Sequence, residues 1–84
     1  MEFKVVAEQG THLLIAHGER YAVIERRNDR FYNCHDDKRD GVPADNLSAV
    51  ARILDEGDWA GKEAAQAAFE EVVSRGTGLA ERML

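Results

Sequence analysis

The sequence is poor in proline and in cysteine, which stabilises many small secreted proteins by forming disulfides. Its 84 residues include one cysteine, Cys34, and one proline, Pro43. Because a lone cysteine cannot close an internal disulfide, the disulfide-rich secreted class is excluded. The apolar stretch at the N-terminus is too short for a secretory signal, and no later run reaches the ~18 apolar residues of a membrane-spanning helix. We therefore expect a cytoplasmic protein with a free thiol and no membrane association.

Motifs for nucleotide binding and for hydrolysis are also missing. The sequence holds no G-x-G-x-x-G, no phosphate-binding P-loop, no G-x-S-x-G and no H-E-x-x-H. Its two serines, Ser48 and Ser74, fall in predicted helices with no histidine beside them. We therefore predict a protein that is not an enzyme and that uses no cofactor.

Length and composition favour one folded domain over residues 1–84. Apolar residues make up 44% of the chain and charged residues 32%, a balance unlike that of a disordered chain. A chain of about 80 residues buries only about 60% of its unfolded surface, so it has no room for two separate cores. A core of this size contributes roughly 3–5 kcal/mol of stability, which a partner or a second copy would increase.

The first half of the chain, residues 1–42, has the pattern of a β-sheet. Short runs of β-branched and aromatic residues are separated by turn dipeptides, which predicts strands over residues 3–8, 11–17, 20–26 and 30–34. The predicted turns lie at residues 9–10, 18–19 and 28–29, where glycine, asparagine and aspartate tolerate tight backbone conformations. Connections this short make consecutive strands antiparallel neighbours, so we predict a four-stranded meander.

The turn at Gly18-Glu19 sets a register for the two central strands. It gives one face, here the Leu14 face, with Leu14 opposite Val23, Ala16 opposite Tyr21 and His12 opposite Glu25. The other face, here the Ile15 face, has Ile15 opposite Ala22 and Leu13 opposite Ile24. A turn at residues 9–10 would add Phe3, Val5 and Ala7 to the Leu14 face and Val6 to the Ile15 face. Both faces are apolar, so either helices cover both or the Ile15 face meets a partner, such as a second copy in a homodimer.

The second half, residues 43–84, has the pattern of helices. A stripe of apolar residues predicts a first helix over residues 43–56, starting at Pro43 or capped by Asp45 (Leu47, Val50, Ala51, Leu54). A second stripe predicts a helix over residues 62–74, ended by Gly76 (Ala65, Ala68, Phe69, Val72, Val73). Residues 79–84 would form a short helical tail. The predicted fold class is α+β, a four-stranded antiparallel meander followed by two α-helices and this tail.

The densest polar cluster, residues 33–40, does not have the spacing of a metal site. A cysteine, a histidine and two aspartates follow one another there (Cys34, His35, Asp36, Asp37). Structural zinc sites use four ligands, in pairs a few residues apart, so we predict no metal. His12 would share a face with Cys34 but lie two strands away, roughly 10 Å. We therefore expect Cys34 to be an inert core residue.

One polar pair offers an alternative in which the protein is a small enzyme. His12 faces Glu25 in the predicted register, with Tyr32 next along the same face. An imidazole beside a carboxylate can serve as an acid and base. Such a pair is more often a satisfied cross-strand contact at the end of a sheet, and we prefer that interpretation.

Charge is unevenly distributed between the two halves. Residues 43–84 hold 4 Lys+Arg and 8 Asp+Glu, a net of −4, whereas residues 1–42 hold 7 and 8, a net of −1. Six of the acidic residues in the helical half form a candidate partner-binding region, here called the acidic surface (Asp55, Glu56, Asp58, Glu63, Glu70, Glu71). Such a surface could dock a basic partner and steer its approach, or simply be a solvated helix face.

Two further features could contact a partner. The turn at residues 28–29 carries an arginine tip, with Lys38 and Arg39 as further basic residues (Arg26, Arg27, Arg30). Arginines on a rigid turn can contact phosphate, although the net charge of −5 opposes the approach of nucleic acid, and we do not expect direct binding. Trp59 lies between Gly57 and Gly61, where it either caps the core or presents an aromatic anchor to a partner.

The sequence therefore leads to a hypothesis about binding. We find no family motif, and we predict a non-catalytic, acidic protein-binding module that inhibits or regulates another protein or ribonucleoprotein complex. Small, acidic, cysteine-poor chains are common among inhibitors carried by phages and mobile elements, anti-CRISPR proteins included, which is an analogy of format alone. The alternatives are a nucleic-acid-binding accessory protein that uses the arginine tip and a small enzyme that uses His12 and Glu25.

Overall fold

A computed structural model describes residues 2–34 and 40–82, with side chains described up to residue 74. The predicted four-stranded sheet is wrong in its strand count. Five antiparallel strands form one sheet whose spatial order follows the chain: β1 (Phe3–Gln9), β2 (His12–His17), β3 (Arg20–Arg27), β4 (Arg30–Asn33) and β5 (Val42–Pro43). Two short 3₁₀ helices follow, Leu47–Arg52 and Glu56–Asp58, and then one α-helix, α1 (Lys62–Arg82). None of the described helices is long and apolar enough to cross a membrane.

The two later hairpin turns match the prediction. Asn28 and Asp29 have φ values of 51° and 63°, the pair of left-handed residues that a two-residue type I′ turn requires. Gly18 has φ 67°, and β2 pairs with β3 in the predicted register, with Ile15 opposite Ala22. The first turn differs by one residue, because Gln9 pairs with His12 and Gly10-Thr11 forms the loop.

A bulge in β1 changes which side chains share a face. Val5 pairs with Ile15 and Ala7 pairs with Leu14, so Val6 is an extra residue between them. The predicted placement is correct for Ala7. It is wrong for Phe3 and Val5, which lie opposite His17 and Ile15 on the Ile15 face, and for Val6, which lines a cavity on the Leu14 face. A bulge shifts the alternation of side chains by one residue, and nothing in the hydrophobic pattern marks this position.

The predicted first helix over residues 43–56 is wrong. Its start forms a fifth strand instead, with Val42 opposite Phe31 and Pro43 opposite Arg30 at the sheet edge, where proline is tolerated. The rest contains a 3₁₀ helix that is capped by Asn46 rather than by the predicted Asp45. The backbone N–H of Ser48 donates a hydrogen bond to Asn46 Oδ1 at 3.1 Å. The buried residues Val50 and Ile53 are three apart, which matches the 3₁₀ repeat of three residues per turn.

The predicted break between a second helix and a tail is also wrong. The backbone of α1 is one helix from Lys62 to Arg82, through both Gly76 and Gly78. A glycine inside a helix costs about 1 kcal/mol relative to alanine, which weakens a helix without ending it. The last two residues of the predicted tail, Met83 and Leu84, lie outside the described residues.

Both faces of the sheet are covered by the chain itself. Residues 44–60, here called the covering segment, pack on the Ile15 face and bury Val50, Ile53 and Leu54 against it. Helix α1 packs on the Leu14 face through Ala65 and Phe69. The Ile15 face, which the sequence offers to a second copy, is therefore already occupied.

Candidate recognition surface

Cys34 lies in a setting that suppresses its chemistry. It packs against the apolar cluster under α1. Burial raises the pKa of its thiol to about 12, and the nearby carboxylate of Glu25 acts in the same direction. A thiol that stays protonated at neutral pH is neither a nucleophile nor a metal ligand. Of its sequence neighbours in the polar cluster, residues 35–39 lie outside the described part of the chain.

The His12–Glu25 pair lies on the sheet surface. The two residues face each other as predicted, with His12 Nε2 3.9 Å from Glu25 Oε2. Glu25 has a shorter contact with Arg27 Nε at 2.9 Å, and the Arg27 guanidinium lies 4.3 Å from the centre of the Tyr32 ring. The carboxylate is thus mainly part of a surface network with an arginine, which matches a cross-strand contact better than an acid-base pair.

The arginine tip makes contacts within the protein. Arg27 pairs with Glu25, Arg26 Nη2 lies 3.8 Å from Asp29 Oδ1, and Arg30 donates a hydrogen bond to the carbonyl oxygen of Gly41. The residues lie together at one hairpin, as predicted. Binding phosphate there would compete with these contacts. Lys38 and Arg39 lie outside the described residues.

The acidic surface divides into two groups, of which the first belongs to the covering segment. Glu56 pairs with Arg20 at 2.9 Å. The Oδ2 atom of Asp58 accepts hydrogen bonds from Asn33 Nδ2 at 3.1 Å and from the backbone N–H of Asp55 at 2.8 Å. These side chains hold the covering segment in place.

The second acidic group lies on α1. Glu63, Glu70 and Glu71 are exposed on α1, outside the stripe that packs on the sheet. The structure therefore does not bring the six acidic residues together into one patch.

Trp59 belongs to an aromatic cluster at one end of the sheet. The rings of Phe3 and His17 stack with their centres 4.1 Å apart, and Trp59 lies 5.9 Å from each. The guanidinium of Arg20 lies 5.7 Å from the Trp59 ring. Trp59 is half-buried and packs against the core under the covering segment. It joins the covering segment to β1 and still presents part of its ring to solvent.

Sequence reasoning missed the structural role of Asn33, a buried polar residue at the end of β4. Its Nδ2 atom donates to the carbonyl oxygen of Ile53 at 2.9 Å and to Asp58. Asn33 lies opposite Ile24 on the covered Ile15 face. A polar residue opposite a core isoleucine is the signal that could have identified it.

Sequence reasoning also missed a groove beside β1. Strand β1 lies at the edge of the sheet, and its Val5 and Val6 side chains are 44% and 45% exposed, the large apolar side chains that the described residues leave in solvent. Between β1 and α1 lies a cavity of about 220 Å³, here called the edge groove (Val6, Ala7, Gln9, Leu14, Tyr21, Lys62, Gln66, Phe69, Glu70). Its floor is apolar and its rim, on α1, is polar and charged. Two adjacent valines in an edge strand were the available signal.

Within the described residues no group of three His, Cys, Asp or Glu side chains is placed to hold a metal ion. No known protein family, curated protein or solved structure matches this chain.

Proposed function

We propose that this protein is a non-catalytic protein-binding module that inhibits or regulates another protein or ribonucleoprotein complex in the cytoplasm. Support comes chiefly from one observation, the exposed Val6 on an open sheet edge beside the apolar edge groove, with the exposed Val5 on the opposite face of the same strand. Exposed apolar residues next to a groove with a polar rim are typical of protein interaction sites.

The candidates for chemistry support the same conclusion. The Cys34 thiol is held protonated by burial, and Glu25 is engaged by Arg27. The guanidinium groups of the arginine tip already contact the protein. No specific observation favours the enzymatic or the nucleic-acid-binding alternative.

The exposed acidic residues of α1 would contribute to the rate and orientation of binding. Charges near an interface steer the approach of an oppositely charged partner more than they add to final affinity. We expect the double substitution Glu63→Lys/Glu71→Lys to lower the association rate about tenfold at low salt, with little effect at high salt. Asp45→Lys, at an exposed position of the covering segment on the opposite face of the sheet, changes the net charge away from α1 and is the control.

The direct test is affinity purification of the tagged 84-residue chain from its source organism, followed by mass spectrometry. The proposal predicts one partner recovered in near-stoichiometric amount, and inhibition or altered activity of that partner on adding the purified chain. Recovery of no stoichiometric partner, or turnover of a small molecule by the chain alone, would refute it.

A further inference from the structure

The outer edge of β1 is open to another strand. β1 pairs with β2 on one side, and in the part of the chain that the structure describes no strand lies on its other side. An edge strand presents unpaired N–H and C=O groups, which an extended chain can satisfy by adding as a further strand.

The bulge directs an apolar side chain of this edge toward α1. Val6 is the extra residue of the bulge, and it lines the edge groove together with Ala7 and Leu14. The cavity of about 220 Å³ is smaller than the roughly 300–1,000 Å³ of pockets for drug-sized ligands. It is better matched to one large apolar side chain of a bound segment.

A second copy of the chain fits this edge poorly. Lys4 pairs with Ala16 and so lies on the Leu14 face, whereas Glu8 pairs with Leu13 and lies on the Ile15 face. Directly opposed residues of antiparallel strands share a face, so two β1 strands cannot place Lys4 of one copy opposite Glu8 of the other.

The groove has a basic end where β1 and α1 begin. One row of residues crosses the sheet at this end. Ala60 forms a β-bridge with Tyr21, Tyr21 lies opposite Ala16, and Ala16 lies opposite Lys4. The first residue of α1, Lys62, follows this bridge by two positions and lies on the groove rim. Lys4 and Lys62 therefore lie on the same face and at the same end of the sheet.

The opposite end is acidic. Glu70 lies eight residues after Lys62, about 12 Å along the helix, and it lines the groove with Gln9 near the end of β1. A segment bound along the groove would therefore meet positive charge at one end and negative charge at the other.

We propose that β1 and the edge groove bind an extended segment of a partner protein, which adds antiparallel to β1. Because it runs opposite to β1, the segment carries a basic residue first, near Glu70, then a large apolar side chain in the groove, and then an acidic residue near Lys4 and Lys62. This inference rests on the proposed function and names its site and the chemistry of its partner.

The first experiment selects a random ten-residue peptide library displayed on phage against the immobilised 84-residue chain. We expect enrichment of peptides in the order basic, large apolar, acidic, which bind as synthetic peptides in fluorescence anisotropy. In an added strand, only every second backbone N–H of the peptide bonds to β1. N-methylation of those residues is therefore expected to abolish binding, and N-methylation of the residues between them is expected to leave binding unchanged.

Variants of the chain then locate the site. Val6 and Lys62 are exposed, so Val6→Glu and Lys62→Glu are expected to leave the unfolding temperature unchanged and to weaken peptide binding at least about tenfold. The double variant Lys62→Glu/Glu70→Lys reverses the rim charges and is expected to prefer the charge-reversed peptide. Asp45→Lys, on the covering segment and so on the opposite face of the sheet from the groove, is expected to bind as the unchanged chain does.

The outcomes separate this inference from the proposed function. Failure to enrich any peptide, binding that is insensitive to Val6→Glu, or sedimentation showing a dimer that Val6→Glu dissociates would overturn the strand-addition site. If a cellular partner is captured equally well by the Val6→Glu chain, the inference fails and the binding function stands. If no partner is captured at all, the binding function itself fails.

Discussion

Replacing Asn33 by alanine tests how the covering segment is fixed to the sheet. Asn33 is 4% exposed and donates hydrogen bonds to the Ile53 carbonyl and the Asp58 carboxylate. A neutral hydrogen bond contributes a net of about 1 kcal/mol and one to a charged group about 2 kcal/mol, so we expect a loss of about 3 kcal/mol. Against a total of roughly 3–5 kcal/mol, this substitution removes most of the stability.

The assay is urea unfolding followed by circular dichroism. We expect the midpoint to fall with an unchanged slope, because the same surface is exposed on unfolding. Asn46→Ala is the matched control: Asn46 is exposed on the same segment, and loss of its cap to Ser48 N is expected to cost about 0.5–1 kcal/mol. If Asn33→Ala costs no more than Asn46→Ala, the buried hydrogen bonds do not hold the segment.

Three further predictions concern other parts of the fold. A Cβ at Gly41 would lie 2.6 Å from Tyr32 Cε1, so Gly41→Ala should lower the free energy of unfolding by about 1–3 kcal/mol, whereas Gly57→Ala, with nothing within 4 Å, should change it little. The left-handed conformation at Asp29 makes Asp29→Val cost about 1–2 kcal/mol in the same titration, and an unchanged midpoint would contradict this. The Cys34 thiol, with its pKa raised from 9.0 to about 12, should react with iodoacetamide at pH 8 far more slowly when folded than in urea. Because the folded state favours the protonated thiol, its contribution to stability is complete below pH 9 and is lost as the pH rises toward 12.

The central hairpins could be predicted because local turn chemistry determines their register. Glycine at position 18 and the Asn28-Asp29 pair suit two-residue loops, and a loop of known length sets every pairing along the strands that it joins. The bulge in β1 carries no such signal, so the faces of Phe3 and Val5 were predicted wrongly.

The covering segment was mispredicted because a short apolar stripe fits more than one helix type. Leu47, Val50 and Leu54 fit an α-helix, yet Ile53 is buried and Ala51 is exposed, which the tighter 3₁₀ repeat accommodates. Contacts between this segment and the sheet decide between an α-helix and a 3₁₀ helix. These contacts cannot be read from the local sequence.

The candidate site could be predicted only in part. The sequence identifies charged residues one by one, but whether a carboxylate such as Asp58 is free for a partner depends on hydrogen bonds to residues distant in the chain, here Asn33. The edge groove joins β1 to a helix more than fifty residues later. The sequence pattern of β1 and that of α1 each predict their own element, but neither predicts that the two elements lie side by side.

The most direct test of the recognition surface is an NMR titration of the ¹⁵N-labelled chain with the selected peptide. We predict that amide shift changes concentrate in residues 4–9 of β1 and residues 62–70 of α1, and that Val6→Glu abolishes them at the same peptide concentration. Shift changes confined to the arginine tip or to the aromatic cluster around Trp59, with β1 unaffected, would contradict the account.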